Sequence, residues 1–246
     1  MKIYSVLQKG EYHLNNCDDH LFIDEIGSDK ILCAVMDGCT MAKDSYFAST
    51  LVGKLLKKIS KSLGYKELYS KILPSGDIDA GLKIILKELF KELNTAKNLL
   101  MLEQKELLTT LVILLYDKME NHGIILAVGD GLVSVNGAIT EFDQDNKPDY
   151  LGFHLSEDFE IWYKGQQQKI FFDNLADVSI ATDGIAMFER IALSNTEETV
   201  DPLDLLIVDK TGTDNEDMLY LKLKKLEHAY GLKPTDDLAL IRLINI

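Results

Sequence analysis

Six consecutive residues, Ile31-Leu32-Cys33-Ala34-Val35-Met36, are apolar without exception. Side chains of a strand alternate between its two faces, so an unbroken apolar run of this length has to be covered on both. The chain therefore folds in layers, with this strand inside. A second buried strand is read at Val178–Thr182.

Around these runs the pattern changes period several times. Ile3–Leu7, Leu21–Ile26 and Lys30–Met36 read as strands, with a turn at Gly27-Ser28-Asp29. Phe47, Leu51, Leu55, Ile59 and Leu63 recur every four residues and predict one face of a helix. Lys54, Lys57, Lys58 and Lys61 fall on its other, solvated face. A second helix carries Ile78, Leu82, Ile85, Leu89, Leu93, Ala96 and Leu100, with Asp77 as N-cap. Strands return at Leu107–Tyr116 and Gly123–Val128, then at Leu132–Val135 and Ala138–Phe142 around an Asn136-Gly137 hairpin turn. Glu160–Tyr163 and Lys169–Phe172 read as a further hairpin, which places Trp162 in a strand. A helix opens at Asp201-Pro202, another carries Leu219, Leu223, Leu226 and Tyr230, and the last strand is Leu238–Ile244.

Strict alternation of strand and helix is absent. The order predicts an α+β fold of antiparallel sheets flanked by helices. No Pro/Gly/Ser-rich tract or repeat divides the chain, so residues 1–246 read as a single domain. With 26 Lys+Arg against 40 Asp+Glu, the formal net charge is −14, a poor match for a nucleic-acid backbone. The longest apolar stretch, near Leu111–Tyr116, is far short of the roughly 20 residues of a membrane span. No signal peptide is read at the N-terminus. Cys17, Cys33 and Cys39 form no disulfide framework, which suits a reducing compartment; a cytoplasmic monomer is expected.

The aspartates carry the chemistry. Asp18 lies in Asn15-Asn16-Cys17-Asp18-Asp19, Asp37 and Asp183 each end a buried strand and precede a glycine, and Asp236-Asp237 opens the final strand. A single Asp-Gly pair is an ordinary turn. Four such places in one sheet system point to convergence on a hard cation, because buried carboxylates need solvation, hydrogen bonds or a positive partner. All-oxygen ligands favour Mg²⁺ or Mn²⁺.

Taken in order, these segments resemble the metal-dependent serine/threonine protein phosphatases of the type 2C (PPM) family. Gly10-x-x-His13-x-x-Asn16-Cys17-Asp18 resembles its opening G-x-x-R-x-x-N-x-D motif. Ala34–Gly38, Leu108–Val112, Ala127–Gly131, Ile180–Ile185 and Thr235–Ile241 resemble its Asp-Gly strand, Thr-Thr strand, Gly-Asp-Ser element, Ser-Asp-Gly element and closing strand. The resemblance implies a four-layer α-β-β-α sandwich, two antiparallel sheets with helices outside. It implies two Mn²⁺ or Mg²⁺ ions, with Asp37 bridging, Gly38 offering its carbonyl, and Asp183 and Asp236 holding the second ion. Asp18 would bind directly or through water. Asp130, with Asp183, would be the partner of a third ion. The implied reaction is attack of a metal-activated water on the phosphorus of phosphoserine or phosphothreonine, with Asp37, Asp183 and Asp236 as the catalytic set. The implied partner is a phosphoprotein in kinase-linked signalling, with no nucleic acid and no membrane.

The departures matter equally. The family's D-G-x-G-G is here Asp37-Gly38-Cys39-Thr40-Met41, and its phosphate-gripping arginine is His13. Histidine has no bidentate fork and is only partly charged near neutral pH. Lys43 is the nearby cation that would assist in binding substrate. Met187 replaces a further family aspartate, which weighs against a third ion. These losses leave an alternative reading, a catalytically impaired phosphoprotein-binding or regulatory module. Asp209-Lys210-Thr211-Gly212-Thr213 matches the phosphorylation motif of cation-pumping ATPases, but the accompanying Gly129-Asp130-Gly131 precedes it, the reverse of that family's order.

Overall fold

Strand alternation sorts the molecule into layers. The computed structural model describes residues 1–67, 69, 73, 76–144, 149–194 and 199–245. Ile246, the end of the expected domain, lies outside the described residues. In chain order the strands are β1 (Lys2–Gln8), β2 (His20–Ile26), β3 (Lys30–Met36), β4 (Leu111–Asp117), β5 (His122–Val128) and β6 (Gly131–Val135). They continue with β7 (Ala138–Phe142), β8 (Lys169–Asp173), β9 (Asp177–Ala181), β10 (Phe188–Arg190), β11 (Leu232–Pro234) and β12 (Leu238–Ile244). The helices are α1 (Ser45–Glu67), α2 (Ile78–Leu100), α3 (Phe159–Gly165) and α4 (Met218–Lys225).

One antiparallel sheet has the order β2-β3-β4-β5-β8, the other β1-β12-β9-β6-β7. In β3, Leu32, Ala34 and Met36 join α1 and α2 in one core, while Ile31, Cys33 and Val35 face the other sheet. In β12, Ala239, Ile241 and Leu243 face the first sheet, and Leu238, Leu240 and Ile244 face the C-terminal helices. Three apolar cores thus separate four layers, the expected α-β-β-α sandwich. Gly137, at φ 90°, and Asn136, at φ 51°, make the turn between β6 and β7. Asp77 caps α2 by accepting from Ala80 N–H at 2.9 Å.

Three local readings need correction. The expected strand Glu160–Tyr163 is part of α3. Asp158 caps this helix by accepting from Ile161 N–H at 3.0 Å, and Trp162 packs its ring 4.4 Å from that of Phe90. Phe159, Trp162 and Tyr163 have helical spacing, and Ile161 is exposed. The strand expected from Leu107 starts only at Leu111, because Gln104–Leu107 forms a 3₁₀ turn closed by a Glu103–Glu106 capping box. The buried stripe of α1 is Ala48, Ser49, Val52, Gly53, Leu56, Ile59, Ser60 and Leu63, one position round from the Phe47–Leu51–Leu55 row. Its polar members have partners: Ser49 Oγ donates to Asp18 O at 2.6 Å, and Ser60 Oγ to an Asp24 carboxylate oxygen at 2.6 Å.

Arg242 sits on the helix-facing side of β12 and is fully buried. Its guanidinium makes a fork on Asp177, with Nε 2.9 Å and Nη2 2.7 Å from the two carboxylate oxygens. It also donates to the carbonyls of Leu206, Val208 and Asp209, at the end of the π-helical turn Asp204–Val208. The ATPase-like motif begins there. Its Asp209 carboxylate is taken up locally by Thr211 N–H at 2.9 Å and Thr211 Oγ at 2.5 Å, an Asx-type turn.

Candidate metal centre

Asp37 leaves β3 toward one end of the sandwich, and the Thr-Thr segment holds its backbone. Asp37 N–H donates to Thr110 Oγ1 at 3.1 Å, while Asp37 O accepts from Thr110 N–H at 2.9 Å and from Thr109 Oγ1 at 2.7 Å. Gly38 N–H donates to Asp18 O at 3.2 Å. A Cβ on Gly38 would collide with the carbonyls of Ser45 and Asp18, so position 38 carries no side chain.

The closing strand docks on the same place. Asp237 is almost wholly buried and accepts from Gly10 N–H at 2.7 Å and from Asp18 N–H. A Cβ on Gly10 would strike the Asp236 backbone, and one on Gly184 the carbonyl of Asp237. The motif glycines are therefore points where one motif's backbone touches another's.

This packing gathers carboxylates. Burial pushes Asp37 well above the usual carboxylate range, and Asp19, Asp183 and Asp236 push it further. Burial likewise raises Asp19, opposed by a hydrogen bond from Thr182 Oγ1 at 2.6 Å and assisted by Asp237, Asp183 and Asp236. Asp183 is pushed up to about 6 by burial, then by Asp236 and Asp130. Among the described residues no lysine or arginine forms an ion pair with Asp18, Asp19, Asp37, Asp183, Asp236 or Asp237. The basic side chain that reaches the group is His13. Its Nε2 lies 2.9 Å from Asp236 Oδ1, and its Nδ1 lies 3.1 Å from Asp237 Oδ2 and 3.5 Å from Asp18 Oδ2. The ligand-type atoms of His13, Asp18 and Asp237 all fall within 4.8 Å of one another, but Asp237 is already committed to two backbone N–H groups. This trio is a clamp joining the opening and closing segments.

The expected residues divide between two sides of the centre. Asp183 and Asp236 act electrostatically on Asp37, and Asp236 on Asp183, whereas the charged groups acting on Asp18 are Asp237, His13 and Asp236, so that Asp236 links the two sides. Asp19 is the residue that the sequence reading overlooked. Its parity was the available signal: residues 19, 21 and 23 share one face of β2 and its lead-in, and Leu21 and Ile23 pack into the core between the sheets. Asp18 has the parity of Phe22, which faces the helices. Thr182, which holds Asp19, was also missed.

Asp130 lies beside Asp183 in a cavity of about 180 Å³ that Asp143 and Met187 also line, and its Oδ1 is buried without a hydrogen-bond partner. Lys43 is exposed in the wall of a cleft of about 460 Å³ that it shares with His13 and Asp18. Burial, Asp237 and Asp19 keep the Cys17 thiol protonated, which argues against a thiolate nucleophile there.

Asp183 makes stability depend on pH. Its folded-state value, about 6, lies above its ordinary 3.8, so the fold favours the neutral acid. That contribution is fully present below about 3.8 and is lost as pH rises through about 6. In chelator, Asp183→Asn is expected to melt higher than wild type at pH 7, by on the order of 3 kcal/mol, and to show little advantage at pH 4. The Mn²⁺-induced rise in melting temperature should shrink in the same variant. Thermal melts at both pH values check this, and a metal-free variant less stable than wild type at pH 7 would make Asp183 a structural hydrogen-bonding residue.

Comparison with known proteins places this geometry among relatives. The family model for Protein phosphatase 2C matches residues 9–218. No curated protein matches the sequence. Among solved structures, a point variant of a bacterial serine phosphatase superposes with a TM-score of 0.63 at 15% identity, covering 100% of this chain and 99% of that one. RsbX in complex with magnesium gives 0.54 at 14% identity, covering 98% and 92%. The phosphatase domain of SpoIIE from Bacillus subtilis, with a fragment of its regulatory domain, gives 0.57 at 15% identity; the match covers 98% of this chain but 62% of that one.

Proposed function

The chain belongs to the protein phosphatase 2C family, and from that premise we propose that it hydrolyses phosphoserine and phosphothreonine on a protein substrate, itself the product of a protein kinase, using two Mn²⁺ or Mg²⁺ ions. The observation that carries this reading is a carboxylate set, the buried Asp19 with the half-buried Asp37, Asp183 and Asp236, which no lysine or arginine among the described residues offsets. An all-carboxylate donor set fits hard divalent cations, and RsbX, a fold relative, was solved with magnesium.

Asp37, the Gly38 carbonyl, Asp183 and Asp236 would hold the ions, with Asp18 acting through water. When bound, such a pair supplies an acidified water and offsets charge on the phosphoryl oxygens. The chain's own residues do the rest. Thr109 and Thr110 fix the backbone that aims Asp37. Thr182 fixes Asp19, which helps hold Asp37 above the usual carboxylate range in the metal-free chain. Asp130 has an orphaned oxygen suited to a cation in a cavity that Asp143 also lines, but Met187 stands where the resemblance puts a further aspartate, so we assign two ions rather than three. A monomer suffices, since every assigned residue lies in one chain.

Lys43 and His13 are assigned to the substrate phosphate. His13 Nε2 bonds to Asp236, a proposed metal ligand, so a cation on Asp236 weakens that hold and leaves Nε2 for the phosphate. His13→Arg, which adds a permanent charge and a planar fork, is expected to lower KM for a phosphopeptide several-fold while kcat stays within a few-fold. An unchanged KM in a folded variant would assign His13 to the clamp alone. The function itself is tested by Mn²⁺-dependent hydrolysis of an aryl phosphate and a phosphopeptide, with and without chelator. Inactivity of the Mn²⁺-loaded wild type toward both would overturn it.

A further inference from the structure

The two departures from the family motifs, His13 in place of arginine and Cys39-Thr40-Met41 in place of x-Gly-Gly, open onto one cleft. Its volume is about 460 Å³, and its wall runs from the metal centre at His13 and Asp18 outward to Tyr12, Leu14, Lys43 and Tyr46. Three of these wall residues are large and apolar yet exposed: Leu14 at 89%, Tyr12 at 64% and Tyr46 at 41%. Met41, at 90%, lies between the lining residues Thr40 and Ala42. Exposed apolar groups scattered singly need no explanation, but three of them line one cleft, with Met41 adjacent to it in sequence.

The surface is also held in place. Tyr12 OH donates to Glu189 Oε2 at 2.6 Å, and Tyr12 N–H to Thr235 O at 3.1 Å, so the ring is anchored to the rest of the fold. Lys9 Nζ donates to Leu14 O at 3.2 Å. Lys43 has no ion-pair partner among the described residues and is free to meet a phosphate. Asp18 and Asp44 in the same wall, on a chain of net charge −14, repel acidic side chains.

We infer that this cleft is a specificity pocket, selecting segments in which a large apolar side chain stands next to the phosphorylated serine or threonine. The inference rests on the proposed phosphatase reading and names the substrate class of that same site. The phosphate lies toward His13 and Lys43, and the neighbouring apolar side chain lies on Tyr12, Leu14, Met41 and Tyr46. Selection comes from apolar area removed from water on one side and from carboxylate repulsion on the other.

The test uses fluorescein-labelled heptapeptides carrying a non-hydrolysable phosphonate analogue of phosphoserine, flanked on both sides by leucine or by glutamate. Anisotropy titrations with Mn²⁺-loaded protein are expected to show about ten-fold tighter binding of the leucine-flanked peptide. The exposed double variant Tyr12→Ser/Leu14→Ser should reduce the preference below about two-fold, and Tyr12→Phe, which keeps the ring, should retain it. Equal affinities in wild type, a preference that survives the double variant, or no binding of either peptide would overturn the inference. Hydrolysis of an aryl phosphate in parallel separates the two readings. Activity without peptide preference leaves the phosphatase and removes the pocket, whereas preference without activity leaves the pocket on a binding module.

Discussion

Asp37→Asn is expected to fold normally and to lose Mn²⁺-dependent hydrolysis by about 10³-fold, the upper end of what removing one preorganised electrostatic group costs. The amide keeps the size of the carboxylate, and the backbone bonds to Thr109 and Thr110 do not involve the side chain. What is lost is the central charge of the set, the one on which Asp19, Asp183 and Asp236 all act. Calorimetric titration with Mn²⁺ should show severely weakened binding, so the loss should persist at metal concentrations that saturate wild type. Without metal the variant should be no less stable than wild type, because a buried group whose ionisation is disfavoured has been replaced by a neutral one. Equal Mn²⁺ affinity in both proteins would remove Asp37 from the metal centre.

Breaking the Arg242–Asp177 pair should have the largest effect on stability. Arg242→Met is expected to destabilise by about 3–5 kcal/mol, the usual result of stranding one partner of a buried pair. The reason is visible in the contacts. Among the described residues Asp177 would keep the ion pair with Lys210, at 3.3 Å, and the carbonyls of Leu206, Val208 and Asp209 would each lose a donor, Leu206 in a buried place. Urea denaturation measures this directly. The double variant Arg242→Met/Asp177→Leu should recover part of the loss, since neither charge is then left buried alone. A single variant within about 0.5 kcal/mol of wild type would mean that water reaches the pair.

The layers were legible because burial on both faces leaves a mark on every residue. The six apolar residues of β3 divide three and three between two cores, as alternation demands. The hairpin at Asn136-Gly137 was legible because both residues take positive φ. The segment Phe159–Tyr163 was not, since five residues of mixed polarity fit either period, and its contact with Phe90 on α2 decides the matter. The stripe of α1 was displaced for a different reason. Ser49, Gly53 and Ser60 lie on its buried face because they bond to or make room for β2 and its lead-in, so hydrophobicity alone pointed to the wrong row. At the candidate metal centre, Asp37, Asp183 and Asp236 were read from strand ends. Asp19 was hidden beside Asp18, where only the in–out parity of β2 separates the residue facing Asp37 from the residue facing His13.

The bond from Gly10 N–H to Asp237 joins residues 227 positions apart, and β1 pairs along its whole length with β12. Asp236, one of the four carboxylates, therefore joins the other three only when two segments far apart in the sequence meet. A chain folded only as far as Asp183 carries Asp19, Asp37 and Asp183, yet it has nothing to seat the opening loop. Until β12 docks on β1, the candidate ion site stays incomplete. Folding through so distant a contact is also intrinsically slow.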